Sequence, residues 1–379
     1  MEAALHMKEE QLTIDRIEVY QSPIKLKEPF VISLGPLAYA QNLMVVIRTR
    51  EGIAGFGECS PFMTINGESM ETAFVVSKYL AQMLLGQNPL DIAACSAAMD
   101  RVIFGNSSVK SAFDIALYDI AAQQAGVPLY KYLGGDNTRQ LVTDYTVSLG
   151  SREKMVSDAL KIKAAGYQVI KVKLGENGER DIERIRAIRE AIGNEIPLRL
   201  DANQGWGTDE AIRVLQALEP HNIQFCEEPI PRWDFMDLRK VRQQSGIPVM
   251  GDESCCDHND ARRLIDLEAC DMFNIKLGKS AGIFKALKIK ELAEEANMPL
   301  QVGGFLESRL GFTASAHFAL AGKTIVFNDF DTPLMLEEDP VIGGISYGEN
   351  GKVTVPEAPG LGLSVDPGFL KKQVSAVFS

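Results

Sequence analysis

Nowhere in this chain do apolar residues run unbroken for the ~18 positions a bilayer-crossing helix needs, so no transmembrane helix is expected. The opening Met1–Gln11 is charged rather than signal-like, and the expected location is the cytoplasm. Histidine is scarce, four in 379 residues, and none falls beside a ligand partner at the end of an expected strand. The six cysteines (Cys59, Cys95, Cys226, Cys255, Cys256, Cys270) show no CxxC spacing, which excludes the common zinc frameworks and leaves buried thiols in a reducing compartment. Positive charge is in the minority, 39 Lys and Arg against 51 Asp and Glu, for a formal net charge of -12. No basic stripe interrupts that balance, so nucleic acid and other polyanions are poor partners.

What is present is an ordinary globular composition, 46% apolar with a mean hydropathy of -0.04, in a chain long for a single core. Residues 12–58 carry strand signals: LTIDRIEVYQSPI, FVISLG and NLMVVIRTREGIAGFGE, the last reading as a hairpin around Glu51-Gly52. Helical periodicity follows in SMETAFVVSKYLAQMLLG and SVKSAFDIALYDIAAQQAG, where Ala112, Phe113, Ala116, Leu117 and Ile120 share a face. Gly126-Val127-Pro128 stops that helix, and Leu133-Gly134-Gly135 with Asn137 reads as the linker to a second domain, whose first strand is VTDYTVSLG. Strands and amphipathic helices then alternate, ending in MPLQVGGFLES and KTIVFNDFDTP as strands seven and eight. The Gly- and Pro-rich stretch from Pro340 to Ser379 has no core of its own and is expected to wrap back onto the first domain.

Within the alternating region, ionisable residues recur at the ends of short apolar runs: Lys171 and Lys173, Asp201, Glu227, Asp252, Lys276. The steps are 28 (173 to 201), 26 (201 to 227), 25 (227 to 252) and 24 (252 to 276), each long enough for one strand, one helix and two loops. In a (β/α)8 barrel all such strand ends face one mouth. Three carboxylates on strands three to five would meet there on a hard divalent cation such as Mg2+. Lys173 on strand two and Lys276 on strand six would stand across the circle from each other. Any one of these acids also suits a helix cap, and either lysine a plain strand-end charge; three acids in phase between two amines single out the convergent reading.

The segments VIKVKLG, LRLDANQGW, QFCEEP, MGDES and FNIKLGKSAGI, preceded by SVKSAFDIALYDIAAQQAGVPLYKYLGG, resemble the successive motifs of the enolase superfamily, in its muconate-lactonising-enzyme subgroup. The resemblance covers nearly the whole chain. It implies an α/β fold: a modified TIM barrel, (β/α)7β, over residues 136–339, with an N-terminal α+β capping domain over 1–135 completed by the C-terminal segment 340–379. It implies one Mg2+ on Asp201, Glu227 and Asp252, and Lys173 and Lys276 as acid/base pair. Lys171 lies on the same strand face as Lys173; as a second cation it is expected to lower the proton affinity of Lys173 and help neutralise a substrate carboxylate.

Removing a proton α to a carboxylate makes a dianionic enolate, so fixed positive charge and a base are required, and a lysine on each face makes inversion the outcome. Asp329 and Asp331, expected on one face of strand eight, suit a substrate ammonium, and this DxD resembles the signature of dipeptide epimerases acting on L-Ala-Xaa; a turn or cap role is the competing reading. Lys25 and Lys27, in the expected loop from Ser22 to Gln41, suit Xaa = Glu, whereas Ile24, Leu26, Phe30 and Ile32 suit a small or apolar Xaa, slightly favoured here. Thr146 is placed on the substrate side or as a half-buried strand residue; Asn203 and Asn274 as partners of the acids and lysines. Glu228 and Glu253 are expected to point away, and Glu307 either to bond a lysine or to lie at the surface. The alternatives are N-acylamino acid racemase, o-succinylbenzoate synthase or muconate cycloisomerase chemistry, which lack an ammonium for the DxD, and a non-catalytic metal-dependent binding barrel. Homo-oligomerisation is left open.

Overall fold

The computed structural model describes residues 12–379; the charged stretch Met1–Gln11 lies outside them. The chain opens with β1 (Ile14–Ile32), β2 (Gly35–Thr49) and β3 (Ala54–Cys59), an antiparallel meander. The hairpin at Glu51-Gly52 is where the turn residues place it. The expected loop Ser22–Gln41 is a hairpin too: β1 and β2 pair through Ile24↔Ala40 and Lys25↔Tyr39, bulge over residues 26–29, and resume at Phe30↔Leu37. Pro29, which has no N–H to give, sits inside that bulge, and this is why the sequence breaks there without a loop. The C-terminal strand, Ser375–Phe378, pairs with the outer edge of β1.

Three helices cover the sheet: α1 (Met70–Leu84), α2 (Ile92–Val102) and α3 (Ser107–Gln124). The predicted apolar face of α3 is fully buried. Gly55 and Gly57 on β3 let it approach, since a Cβ on either would collide with the carbonyl oxygens of Ala116 and Ala112. Burial of α3 extends from Ser108 to Ala122, around the whole helix, because the barrel closes on its other side.

The barrel strands are β4 (Tyr145–Val147), β5 (Ile170–Lys173), β6 (Leu198–Asp201), β7 (Ile223–Glu227), β8 (Val249–Gly251), β9 (Met272–Lys276), β10 (Leu300–Gly303) and β11 (Ile325–Asn328). They alternate with seven helices: α4 (Arg152–Ala164), α5 (Gly178–Ile192), α6 (Thr208–Leu218), α7 (Phe235–Gln244), α8 (His258–Asp266), α9 (Ile283–Glu295) and α10 (Arg309–Ala319). All ladders from β4 to β11 are parallel and follow chain order, giving (β/α)7β.

The circle is not closed by a ladder. Between β11 and β4 the seam is spanned by side chains: Phe330 N donates to Thr143 Oγ1 (2.7 Å), Thr146 N to Asp331 Oδ2 (2.7 Å) and Arg199 Nη1 to Asn328 O (3.1 Å). The expected first strand is accordingly shorter, since Leu141–Val142 leaves the barrel to pair with the tail at Lys352–Thr354. Strand eight also stops at Asn328, so Asp329 and Asp331 lie in the turn beyond it rather than on one strand face.

Buried carboxylates fasten cap to barrel. Asp114 of α3 accepts from Ile283 N (2.5 Å) and Phe284 N (3.2 Å) at the start of α9, where Gly282 (φ +103°) leaves room for it. Glu58 of β3 accepts from Ser308 N (3.0 Å), Ser308 Oγ (2.8 Å) and Gly311 N (2.9 Å) at the start of α10, and from Asn42 Nδ2 (2.8 Å). Both exploit the free N–H groups of a helix N-terminus.

Candidate active site

The acidic strand ends are in register. Lys173 pairs with Asp201 and Asp201 with Glu227, while Glu227 pairs with Met250, two residues before Asp252. Asp201, Glu227 and Asp252 are completely buried at the mouths of three adjacent strands. The amines converge on them: Lys173 Nζ is 2.6 Å from Asp201 Oδ2, Lys276 Nζ 2.6 Å from Asp252 Oδ2, and Lys171 Nζ 2.8 Å from Glu227 Oε2 and 3.0 Å from Asp201 Oδ2. Lys171 also reaches Asp329 Oδ2 at 2.8 Å, joining the acid trio to the DxD. Two strand ends with amines, three with acids between them, and the DxD completing the ring thus form one constellation.

The neighbours orient these groups. Asn203, with φ at 41°, accepts from Lys173 Nζ (3.1 Å), and its N–H donates to Asp201 Oδ1 (2.9 Å). Asn274 Nδ2 donates to Glu227 Oε1 (2.7 Å). Glu228, expected to point away, is buried and accepts from Asp252 N (2.6 Å) and Ser254 Oγ (3.0 Å), fixing the turn that presents Asp252. Glu253 also turns inward, 3.3 Å from Asn203 Nδ2, because the strand has ended at Gly251 and alternation no longer applies. Glu307 is buried and accepts from Phe305 N (2.6 Å), not from a lysine.

The composition left two residues unnoticed. Lys279, one turn beyond Lys276 in KLGKS, is buried with Nζ 2.6 Å from Asp252 Oδ1. Asp144 immediately precedes β4 and pairs with Arg199 at 2.7 Å.

Two acid clusters could hold a cation, and their surroundings differ. Asp201, Glu227 and Asp252 present oxygens from three strand ends at the mouth, the hard-donor chemistry that suits Mg2+. Asp144, Asp329 and Asp331 each offer an oxygen within 4.8 Å of the others, but they lie in the barrel seam with Arg199 and Lys171 already paired to two of them.

Charge governs proton affinity here. Burial alone would lower Lys276 and Lys171, yet the carboxylates of Asp252 and Glu227 hold Lys276 up, and Asp329, Glu227 and Asp201 hold Lys171 up. At Lys276 and Lys171 the protein's carboxylates thus favour the protonated amine; a divalent cation on the same carboxylates would oppose that pull. Asp331 is pushed up to about 7 by burial and then by Asp329, whereas at Asp329 burial is outweighed by Lys171, Lys173 and Lys276 together, which hold it at about 2.

Lys171, Lys173, Lys276, Thr146, Asp329 and Asp331 line one small cavity of about 40 Å3. Asn203, Gly304 and Thr332 also line it, and the rest of the wall is apolar: Phe30 and Ile32 from β1, Phe62 and Ile65 from the loop after β3, Phe305 and Leu306 after β10. The Phe30 ring lies 5.7 Å from Lys173 Nζ and that of Phe305 5.2 Å from Lys276 Nζ, one over each amine. Lys25 and Lys27 do not enter; Lys25 Nζ pairs with Glu337 (2.8 Å) and Lys27 Nζ donates to Leu334 O (2.8 Å).

Comparison with known proteins adds context. Residues 15–134 match the family model described as mandelate racemase / muconate lactonizing enzyme, N-terminal domain, and residues 154–369 that described as enolase C-terminal domain-like. A D-Ala-D/L-Ala epimerase of Cytophaga hutchinsonii is 58% identical over 95% of this chain and 98% of its own. A crystal structure of a dipeptide epimerase from that organism, complexed with Mg and D-Ala-L-Val, superposes with a TM-score of 0.96 at 57% identity, covering 97% of this chain and 100% of that one. A hydrophobic dipeptide epimerase of Enterococcus faecalis is 39% identical over 93% of this chain and 100% of its own. The substrate-liganded L-Ala-D/L-Glu epimerase of Bacillus subtilis gives a TM-score of 0.90 at 38% identity, covering 93% and 98% of the two chains.

Proposed function

Given that this chain belongs to the mandelate racemase / muconate lactonizing enzyme family of the enolase superfamily, we propose that it is a Mg2+-dependent dipeptide epimerase. It inverts the Cα of the second residue of Ala-Xaa, with Xaa small or apolar. The observation that carries this reading is the shared cavity: two amines from opposed strands, paired carboxylates at one place on the wall, and apolar side chains over much of the rest.

Asp201, Glu227 and Asp252 would hold the Mg2+, which supplies fixed positive charge against the substrate carboxylate as the enolate develops. Lys173 and Lys276 stand on the two faces of the reacting carbon. One takes the Cα proton, the electron pair moves into the carboxylate, and the other amine returns a proton to the opposite face as the pair moves back. Asn203 holds Lys173 in line, and Phe30 and Phe305 keep water from the two amines. Lys171 balances Glu227 and Asp329 between the metal and ammonium ends. Asp329 and Asp331, with Thr146 beside them, receive the free amino terminus; an N-acyl substrate has no charge to give them.

The apolar wall favours Ala, Val or Leu over Glu at the inverting residue. The relatives are named for both D-Ala and L-Ala at the first position, so dipeptides with either enantiomer there are compared. The six cysteines, none in a disulfide, suit a cytoplasmic setting. The test is Cα deuterium uptake in heavy water across a dipeptide library, with Mg2+ and with chelator. Uptake by small and apolar Ala-Xaa that chelator abolishes is expected. Uptake confined to N-acyl amino acids would give the racemase alternative, and no uptake anywhere would leave a binding barrel.

A further inference from the structure

Asp144 is buried with one carboxylate oxygen spoken for and one not. Its Oδ2 accepts from Arg199 Nη1 at 2.7 Å, while Oδ1 has no hydrogen-bond partner among the described residues although the side chain is shielded from solvent. Its two neighbours are pinned in the same manner: Asp329 Oδ2 by Lys171 Nζ (2.8 Å) and Asp331 Oδ2 by Thr146 N (2.7 Å). One oxygen from each of the three lies within 4.8 Å of the other two. Leaving a buried carboxylate oxygen unpaired is costly, and Asp144 Oδ1, set beside the carboxylates of Asp329 and Asp331, is arranged for a donor from outside the chain.

Resting on the dipeptide reading above, we propose that the substrate's ammonium group is gripped by three carboxylates, with Asp144 supplying the third acceptor behind the Asp329 and Asp331 pair. A primary ammonium has three N–H donors, and three acceptors set tetrahedrally at roughly 2.8 Å from its nitrogen stand about 4.6 Å apart, inside the observed limit. The charge also fits. Arg199 pairs with Asp144, while Lys171 is shared among Asp329, Glu227 and Asp201, so the three carboxylates lack full countercharge, which an ammonium supplies. Burial, and then the charge of Asp329, push Asp144 and Asp331 upward, as expected of carboxylates crowded without enough countercharge. Arg199 is the fixed side of the cage, held between the rings of Phe225 and Phe327 at 5.4 and 4.9 Å.

A cage of three acceptors distinguishes a primary ammonium from a secondary one, because N-methylation removes one N–H and places a methyl group against an oxygen. The experiment compares kcat/KM for Ala-Ala and N-methyl-Ala-Ala in the wild type and in Asp144→Asn. N-methylation is expected to cost the wild type roughly tenfold to a hundredfold, the range of a hydrogen bond to a charged group, and the variant at least several-fold less. A residue that merely holds Arg199 would slow both substrates alike, so an unchanged N-methyl penalty in an active variant overturns the proposal. Should Asp144→Asn fail to fold, Asp144→Asn combined with Arg199→Met removes both charges of the buried pair and carries the same comparison. Activation of the wild type by K+ or Na+ that binds together with dipeptide would assign the cage to an inorganic cation and likewise overturn it. If the wild type epimerises no free dipeptide at all, the underlying reading fails instead, and the two failures are told apart by the first measurement.

Discussion

Replacing an apolar Xaa by glutamate is the perturbation to which this cavity is most sensitive. The wall beside the two amines is Phe30, Ile32, Phe62, Ile65, Phe305 and Leu306, with Ile32, Ile65, Phe305 and Leu306 buried. Among the described residues the cations nearby are committed: Lys171, Lys173 and Lys276 to the acid trio, Lys25 to Glu337, Lys27 to Leu334 O and Arg232 to Ile65 O. A glutamate carboxylate brought there loses its water without gaining a partner, and an uncompensated buried charge costs about 3–5 kcal/mol. That corresponds to roughly 100-fold to several thousand-fold in kcat/KM for Ala-Val over Ala-Glu, since each 1.4 kcal/mol is about tenfold. A second cycle of the argument uses Ile65→Arg, which places a guanidinium in the wall and is expected to shrink the ratio by at least about tenfold. The assay is the initial rate of optical-rotation change for each dipeptide at saturating Mg2+. A wild-type ratio within threefold of unity would refute the reasoning and mean that Lys25 or Lys27 leaves its partner to meet the substrate, which alanine substitutions there would reveal.

Two further expectations concern the joint between cap and barrel. Burial pushes Asp114 up to about 7 from an ordinary 3.8, its backbone donors notwithstanding. The folded state therefore holds a proton that the unfolded chain releases, and this group's contribution to stability falls as pH rises from about 4 to about 7, by up to about 1.4 kcal/mol per pH unit, and levels off above. Asp114→Asn keeps the acceptor without the titration, so chemical denaturation at pH 5 and pH 8 should show the variant gaining on the wild type by a few kcal/mol at the higher pH; parallel curves would contradict this. Glu58→Leu strands four donors at the start of α10 and beside it, and should lower the unfolding free energy by about 3–5 kcal/mol, against about 1–2 for Glu58→Gln, read as a shift in denaturation midpoint at constant slope.

Much of this architecture could be read from the chain because the functional side chains sit where periodic strands end, and periodicity survives in one sequence. Lys171, Lys173, Asp201, Glu227, Asp252 and Lys276 come together as spacing implied. What escaped was set by contacts between distant segments. Pro29 broke a strand pattern that the bulge of β1 carries through, and Leu26 bridges to Leu336 across more than 300 residues. Asp329 and Asp331 converge through the open seam rather than through strand alternation. Glu253 turns inward only because β8 stops two residues earlier. The pairing of Asp144 with Arg199 belongs to packing inside the barrel.

The central claim is that two amines act on opposite faces of one carbon, and the most direct measurement follows each face separately. L-Ala-L-Ala and L-Ala-D-Ala are incubated in heavy water with Mg2+ and with wild type, Lys173→Ala or Lys276→Ala, and Cα deuterium uptake is followed by proton NMR. The wild type should label both diastereomers and interconvert them. Each variant should lose epimerisation by at least about a hundredfold while one variant still labels one diastereomer and the other variant labels the other. Both variants retaining exchange with the same diastereomer, or either retaining epimerisation, would contradict the account.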